Sequence, residues 1–176
     1  MTLIRKLHQQ ELHRIEEIDR SEEISGLYKY QQNHLKLVPH IETVLGFEEM
    51  ELEAMIIRQF NLITAGGYVF GAFDDEKLVA VASVEYKKRG ILKNYCKMDI
   101  LYVSNLYKGK GIGNQLVDCC KKTAKAFGAY KLYISATPTK NTVDFYLKRG
   151  AVPVSELDTD LFTEEPEDIH LELGVD

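Results

Sequence analysis

The chain has almost nothing from which to build a disulfide framework. Three of its 176 residues are cysteine, Cys96, Cys119 and Cys120, and the last two are adjacent. An odd number in that arrangement describes reduced thiols in a cytoplasmic protein rather than a set of bridges. No apolar run approaches the ~18 residues of a membrane span, and the first residues show no leader with an apolar core. Neither membrane insertion nor export is expected. Basic residues are in deficit, since 22 Lys and Arg stand against 27 Asp and Glu, for a formal charge of −5 and a pI of about 5.6. That balance argues against a nucleic-acid surface, which needs a basic stripe. The histidines His8, His13, His34, His40 and His170 show no metal-ligand spacing, so no metal is expected. Repeats and low-complexity tracts are missing too.

What is present suits one domain spanning residues 1–176, because single domains usually run about 100 to 200 residues. A hydrophobic content of 45% with 28% charged residues gives the chain enough apolar material for a core.

The most informative stretch runs from Tyr107 to Leu116 and contains Gly109, Gly111 and Gly113 in alternation. It follows an apolar extended run, Ile100 to Val103. It opens a helix whose apolar side repeats through Ile112, Leu116, Val117, Cys120, Ala124 and Phe127. Glycines at these positions remove the β-carbons that keep a ligand from the backbone and permit positive φ. The first turn of a helix leaves about four N–H groups without partners and carries roughly half a positive charge, so it binds phosphate. Lys108 and Lys110 flank the loop as unburied cations. The loop lacks the Gly-Lys-Ser/Thr ending of a P-loop and the third-glycine spacing of a dinucleotide fingerprint.

Coarse periodicity places the other elements. Thr2 to Leu7 reads as a strand, and Leu12, Ile15 and Ile18 mark one face of a helix. Ser21 to Leu37 mixes Tyr28, Tyr30, Leu35 and Leu37 with polar residues and stops at Pro39. Phe47 to Ile63 reads as a helix with Phe47, Met50, Ala54, Ile57 and Phe60 on one side as its apolar face, ended by Ala65-Gly66-Gly67. Tyr68 to Phe73 and Lys77 to Tyr86 form a hairpin about Asp74-Asp75-Glu76, and Lys87 to Asn94 is a basic connector. Tyr95 to Val103 and Lys131 to Ala136 are strands, Thr139 to Lys148 a helix, and Val152 to Ser155 and Ile169 to Leu173 closing strands. Glu156 to Asp168 is an acidic loop. The order defines a mixed α/β fold.

Two blocks carry a family resemblance. Leu101-Tyr-Val-Ser-Asn-Leu-Tyr-Lys-Gly-Lys-Gly-Ile-Gly113 resembles the acetyl-CoA-binding motif of the GNAT N-acetyltransferases, Gln/Arg-x-x-Gly-x-Gly/Ala, with Lys108 in the Gln/Arg place and Gly111 and Gly113 as the small residues. Phe145-Tyr146-Leu-Lys-Arg-Gly150 resembles the family's Phe-Tyr-x-x-x-Gly segment. Two matches in the right order are more specific than either alone. The resemblance implies a mostly antiparallel central sheet, flanked by helices and splayed at a cofactor cleft, with acetyl-CoA as co-substrate. The loop residues Lys108, Gly109, Lys110, Gly111, Ile112, Gly113 and Asn114 would cradle its pyrophosphate. The strand edge Leu101, Tyr102 and Val103 would pair with the pantetheine arm, as an added strand does. Val103 would donate to the thioester oxygen as it becomes an oxyanion.

The resemblance also makes Tyr146 the acid that protonates the departing thiolate. Its alternative is a ring that completes the core beside Phe145. Glu85 and Asp99 are the candidate bases for the incoming amine, with bulk water or a purely structural carboxylate as the alternatives. The chain departs from the family in having Thr139 where many relatives carry an asparagine on the CoA arm, with Asn141 two residues later, and Ala151 where a phenylalanine is usual. Tyr28 and Tyr30 are either substrate contacts, as the early region is in that family, or packing residues of the first helices. Amine acceptors compatible with the motifs include aminoglycosides, polyamines, amino acids, and protein N-termini or lysines. The acidic balance leans toward a small cation. A CoA-binding sensor without turnover is the alternative from another class. Homodimers are frequent in the family, and the sequence does not fix the oligomeric state.

Overall fold

The run Leu78 to Val84 has no polar face to offer solvent, and each of its residues is 0% exposed in a computed structural model that describes residues 1–176. A strand buried on both faces must sit inside a sheet with layers on either side. In chain order the elements are β1 (Thr2–Lys6), a 3₁₀ segment (Gln9–Glu17), β2 (Glu22–Gln31), β3 (His34–Val44), α1 (Glu49–Thr64), β4 (Tyr68–Asp74) and β5 (Lys77–Arg89). They continue with β6 (Tyr95–Val103), α2 (Ile112–Ala126), β7 (Lys131–Ala136), α3 (Lys140–Lys148), β8 (Val152–Pro153), α4 (Thr159–Glu164) and β9 (Ile169–Gly174).

Seven strands form one sheet in the order β1-β4-β5-β6-β7-β9-β8, and β2 and β3 form a separate ribbon. Every neighbouring pair is antiparallel except β6 and β7. That pair holds for three residues, Tyr95↔Lys131, Cys96↔Leu132 and Lys97↔Tyr133, and then parts. Helices α2 and α3 cover one face, where Leu116, Val117, Cys120, Val143 and Tyr146 join the main core with Val79, Met98 and Leu132. On the other face the 3₁₀ segment and α1 bury Leu12, Ile15, Met55 and Leu62 against Val69, Val81 and Ile100. There α4 places Leu161 over Tyr95 and Tyr133.

Several expectations are corrected. The region Ser21 to Leu37, whose mixed pattern assigns it to no element, belongs to the β2–β3 ribbon, turned at Gln32 and Asn33, both with positive φ. A two-residue turn of that kind suits the twist of a hairpin, and Gln-Asn supplies it without the usual glycine. Pro39 does not end the segment. It faces Gly26 where the ribbon's register shifts, a place where a missing N–H costs little. The ribbon leans on α3, with the Tyr28 hydroxyl donating to Asp144 at 2.5 Å, so Tyr28 does not pack among the first helices. The segment around Leu12 is 3₁₀, although its apolar face is buried as expected.

The inward face of α1 is also different. Met50, Ile57 and Phe60 are 83%, 55% and 48% exposed, whereas Met55, Gln59 and Leu62 are buried. Apolar residues surround this helix on most sides, so periodicity offers two stripes, and the sheet beneath selects the one that carries Gln59. Strand β5 runs on to Arg89 through what reads as a connector. The acidic loop contains α4, whose first turn is capped by Asp158 accepting from the Leu161 N–H at 3.0 Å.

Leu116 is 0% exposed at the centre of the α2 contact with the sheet. Leu116→Ala should lower stability by about 2–5 kcal/mol, from lost transfer energy plus a cavity. Chemical denaturation monitored by circular dichroism measures it, and a loss well under that range would show that α2 is not anchored there.

Candidate active site

Where β6 leaves β7, the sheet opens into a cleft of about 780 Å³. Its walls are the diverging strands, the glycine loop, the start of α2, and α3. A bulge shapes the β6 side, because Ala82 pairs with Leu101 but Val84 with Met98, leaving Asp99 and Ile100 opposite Ser83 alone. The bulge reverses the phase of the strand. Asp99 and Ile100 both face α1, while Leu101 and Val103 pack toward the α2 side, so Asp99 does not share a face with them as simple alternation implies. The Ser104 N–H donates to Val79 on β5 at 2.8 Å. Alternation along the strand then turns the N–H groups of Leu101 and Val103 away from β5 and into the opening.

Beyond β6, Ser104 to Gly111 forms the loop. The Tyr107 hydroxyl donates to Asp74 at 2.6 Å, and the Asn105 N–H to Asp19 O at 3.0 Å, which fixes the loop to the hairpin turn and to the segment carrying Arg20 and Glu22. Gly109 and Gly111 have φ of 76° and 83°, and a β-carbon on either would meet nothing within 4 Å. Their missing side chains leave open space. A β-carbon on Gly113 would stand 3.3 Å from the Phe145 ring, so that glycine lets α2 and α3 approach. The N–H groups from Gly109 through Asn114 have no protein acceptor, while the Gly111 carbonyl takes the Gln115 N–H at 3.1 Å. A row of unpaired donors at a helix N-terminus, beside the open space left at Gly109 and Gly111, fits a nucleotide diphosphate.

Of the residues singled out from sequence, Leu101, Tyr102, Val103, Lys108, Gly109, Gly111, Gly113, Asn114, Asn141 and Tyr146 line this cleft, as does Asp99. Lys110 does not, since its ammonium lies over the Tyr107 ring at 5.1 Å. Ile112 is buried in the core as the first anchor of α2. Thr139 is buried before α3 and donates to the Thr142 hydroxyl at 2.9 Å, whereas Asn141 reaches the cleft beside Glu22, to which it donates at 3.4 Å. Of those two, only Asn141 lines the cleft.

The candidate bases fare differently. Glu85 lies outside the cleft and accepts from Arg89 at 3.1 Å, an arginine that also holds Asp158. Asp99 is 1% exposed in its side chain and fully engaged, by Lys97 at 2.6 Å, Arg58 at 2.8 Å and Gln59 at 2.7 Å. Burial pushes its carboxyl upward, but Lys97 and Arg58 outweigh burial and hold it at about 2. A carboxylate so weakly basic is poorly matched to proton abstraction near pH 7, and both bases are corrected to structural ion pairs.

Tyr146 is only 5% exposed, its hydroxyl meets no protein group, and burial drives its pKa up, so it stays protonated at the cleft wall. Sequence reasoning missed Arg20, Glu22, Ser135, Thr142, Lys148 and Arg149, which also line the cleft. Lys148 and Arg149 had a signal, as the basic pair inside the Phe-Tyr block. Arg149 meets Asp118 at 2.6 Å, and its Nε is buried without a partner. Ser135 had none, because its role depends on which face of β7 meets the opening.

A parted strand pair with a donor-lined glycine loop at its mouth is the architecture of a protein that takes a nucleotide-bearing ligand. The chain belongs to the acetyltransferase (GNAT) family, whose model matches residues 35–151, well over half its length. Acyl-CoA-dependent N-acetyl transfer is the activity that goes with that membership. Solved structures share the fold along the whole chain. Nourseothricin acetyltransferase is 18% identical, with 99% of each chain covered and a TM-score of 0.74. The PaiA N-acetyltransferase of Thermoplasma acidophilum, in complex with coenzyme A, is 20% identical over 99% of each chain, with a TM-score of 0.62. A Bacillus anthracis protein provisionally named streptothricin acetyltransferase, in complex with acetyl coenzyme A, is 18% identical over 99% of each chain, with a TM-score of 0.65. No curated protein matches the sequence. No helix is long and apolar enough to cross a membrane.

Two outcomes test this geometry. Gly111→Asp should abolish the thermal stabilisation that coenzyme A confers while leaving the far-UV spectrum intact; a retained shift on ligand addition would move the diphosphate elsewhere. Asp99→Asn should cost about 2 kcal/mol, because it removes the charged acceptor of half-exposed Arg58 and part-buried Lys97. The Asp99 pKa is depressed, so its stabilisation is full above the unfolded value near 4 and is lost as pH falls toward about 2. Denaturant titrations of both proteins across that window should converge, and parallel curves would remove Asp99 as the source.

Proposed function

We propose that this protein moves the acetyl group of acetyl-CoA to the primary amine of a small cationic molecule, such as an aminoglycoside or a polyamine, by direct attack. One observation carries the reading: six successive N–H groups without protein acceptors stand at the mouth of a cleft whose β6 wall turns two more into it. The loop amides and Lys108 hold the pyrophosphate. The freed edge of β6 pairs with the pantetheine arm through Leu101 and Val103, and Val103 donates to the thioester oxygen as charge builds there. Asn141 steadies the arm from α3.

The amine nitrogen attacks the carbonyl, the carbon–sulfur bond breaks, and Tyr146 supplies a proton to the departing thiolate. No cysteine is available for a covalent route. Cys96 and Cys120 are buried, burial raises all three thiols, and none lines the cleft. A small cationic acceptor is supported by the −5 net charge, by Glu22 at the cleft rim, and by the likeness to structures named for nourseothricin and streptothricin acetylation.

Incubating the protein with acetyl-CoA and a panel of aminoglycosides, polyamines, amino acids and peptides, while following free thiol, tests the proposal. Amine-dependent thiol release with the small cations is the expected result; coenzyme A binding with silence across the panel would make the protein a CoA-binding module. Tyr146→Phe should lower kcat by about 100-fold, within the range for a lost proton donor, without altering CoA-dependent stabilisation. Unchanged kcat would remove Tyr146 from the chemistry.

A further inference from the structure

With Glu85 outside the cleft and Asp99 tied up, the amine still has to lose its protons. The register of β6 and β7, carried one residue pair at a time past Lys97↔Tyr133, sets Ser135 across the opening from Asp99. Ser135 lines the cleft, on the face of β7 that α4 leaves uncovered beyond Tyr133. Its hydroxyl donates at 2.9 Å to Asp168, the residue that leads into β9. The donation uses the Ser135 proton and leaves the oxygen lone pairs free to accept from a group in the cleft. This face, between α1 and α4, is opposite the one on which α2 and α3 pack, so an acceptor entering here meets the thioester from the side away from Tyr146.

We propose that Ser135 and Asp168 form the relay that takes a proton from the acceptor amine, with Ser135 touching the nitrogen and Asp168 acting through it. An ammonium hydrogen passes to Ser135 Oγ as the Ser135 proton moves to Asp168 Oδ2, and the freed lone pair attacks the thioester carbonyl. Of the two protons the nitrogen sheds in forming the amide, one ends on Asp168. The other balances the proton taken up by the thiolate.

The surroundings of Asp168 suit the task. Burial raises its carboxyl, the Ser135 hydrogen bond lowers it, Glu165 at the end of α4 raises it, and Lys97 on β6 lowers it, for a value of about 6. His170, two residues on, is turned to Tyr133 at 2.8 Å and to the Glu165 carbonyl at 3.2 Å, and burial lowers its pKa, so it adds no positive charge at neutral pH. Arg58 on α1 is spent on Asp99. A half-buried carboxylate with no cation bonded to it is a base near working pH, unlike Asp99 on the facing strand. A raised carboxyl also disfavours the folded state once ionised, so Asp168→Asn should not lower stability at pH 7.

The relay rests on the transferase reading, and the experiment separates the two. For the best amine of the panel, kcat/KM is measured from pH 5 to 9 for the wild type, Asp168→Asn and Ser135→Ala, with CoA-dependent stabilisation as a check on the cofactor side. The wild type should show an acid limb centred at about 6. Asp168→Asn should erase that limb and lower the plateau by about 100-fold, and Ser135→Ala should lower it similarly, since each breaks the same relay. Using one amine throughout cancels its own ionisation. Wild-type activity with an unaltered limb in Asp168→Asn would overturn the relay while leaving the transferase intact. Absence of amine-dependent thiol release in the wild type would overturn both.

Discussion

Everything at the site depends on β6 and β7 running parallel for three residues and then letting go. A parallel pair bonded along its full length would spend every N–H and C=O of both strands on each other. Parting after Lys97↔Tyr133 leaves the far half of β6 with one bonded edge, toward β5, and one free edge. Such an edge invites association with other chains unless something covers it. Here the opening is walled by α3 and the glycine loop.

The bulge at Asp99 and Ile100 is the second half of the device. One extra residue in β6 bends the strand away from β7 and changes which side chains face which layer. It turns Asp99 under α1, where three donors hold it, and two of them, Arg58 and Gln59, clamp α1 to the strand at the place where the sheet opens. A carboxylate that appears catalytic by position is thereby a fastener. The same rearrangement leaves Ser135 and its partner Asp168 on the other bank of the opening with no cation bonded to them. Two carboxylates close to one cleft are driven in opposite directions by their neighbours, one to about 2 and one to about 6. Environment, not residue type, divides the structural role from the chemical one.

Much of the fold was legible because its signals are local. The limits of β6 and β7 follow from apolar runs bounded by turn residues, and α2 from a strong one-sided pattern opening in glycines. The glycine loop was readable for the same reason, since its unpaired donors are consecutive backbone amides and need no distant partner. Reading failed where two local answers were equally good. Helix α1 carries two apolar stripes, and the segment around Tyr28 and Pro39 mixes signals until pairing between β2 and β3 settles it. Helix α4 was hidden in an acidic stretch because its six residues are too short for periodicity to register.

Neighbouring residues were enough to specify the glycine-lysine loop, the helix it opens, the Phe145-Tyr146 block and, through these, membership of the acetyltransferase family. Each rests on residues close together in the chain, whose backbone freedom and spacing suffice. Tertiary structure alone decided which carboxylate is free to accept a proton. Asp99 and Glu85 lost that role to Lys97, Arg58, Gln59 and Arg89, and Ser135 joined Asp168 from 33 residues away. Ionisation and hydrogen bonding depend on what stands within a few ångströms in space, and distance along the chain does not encode that.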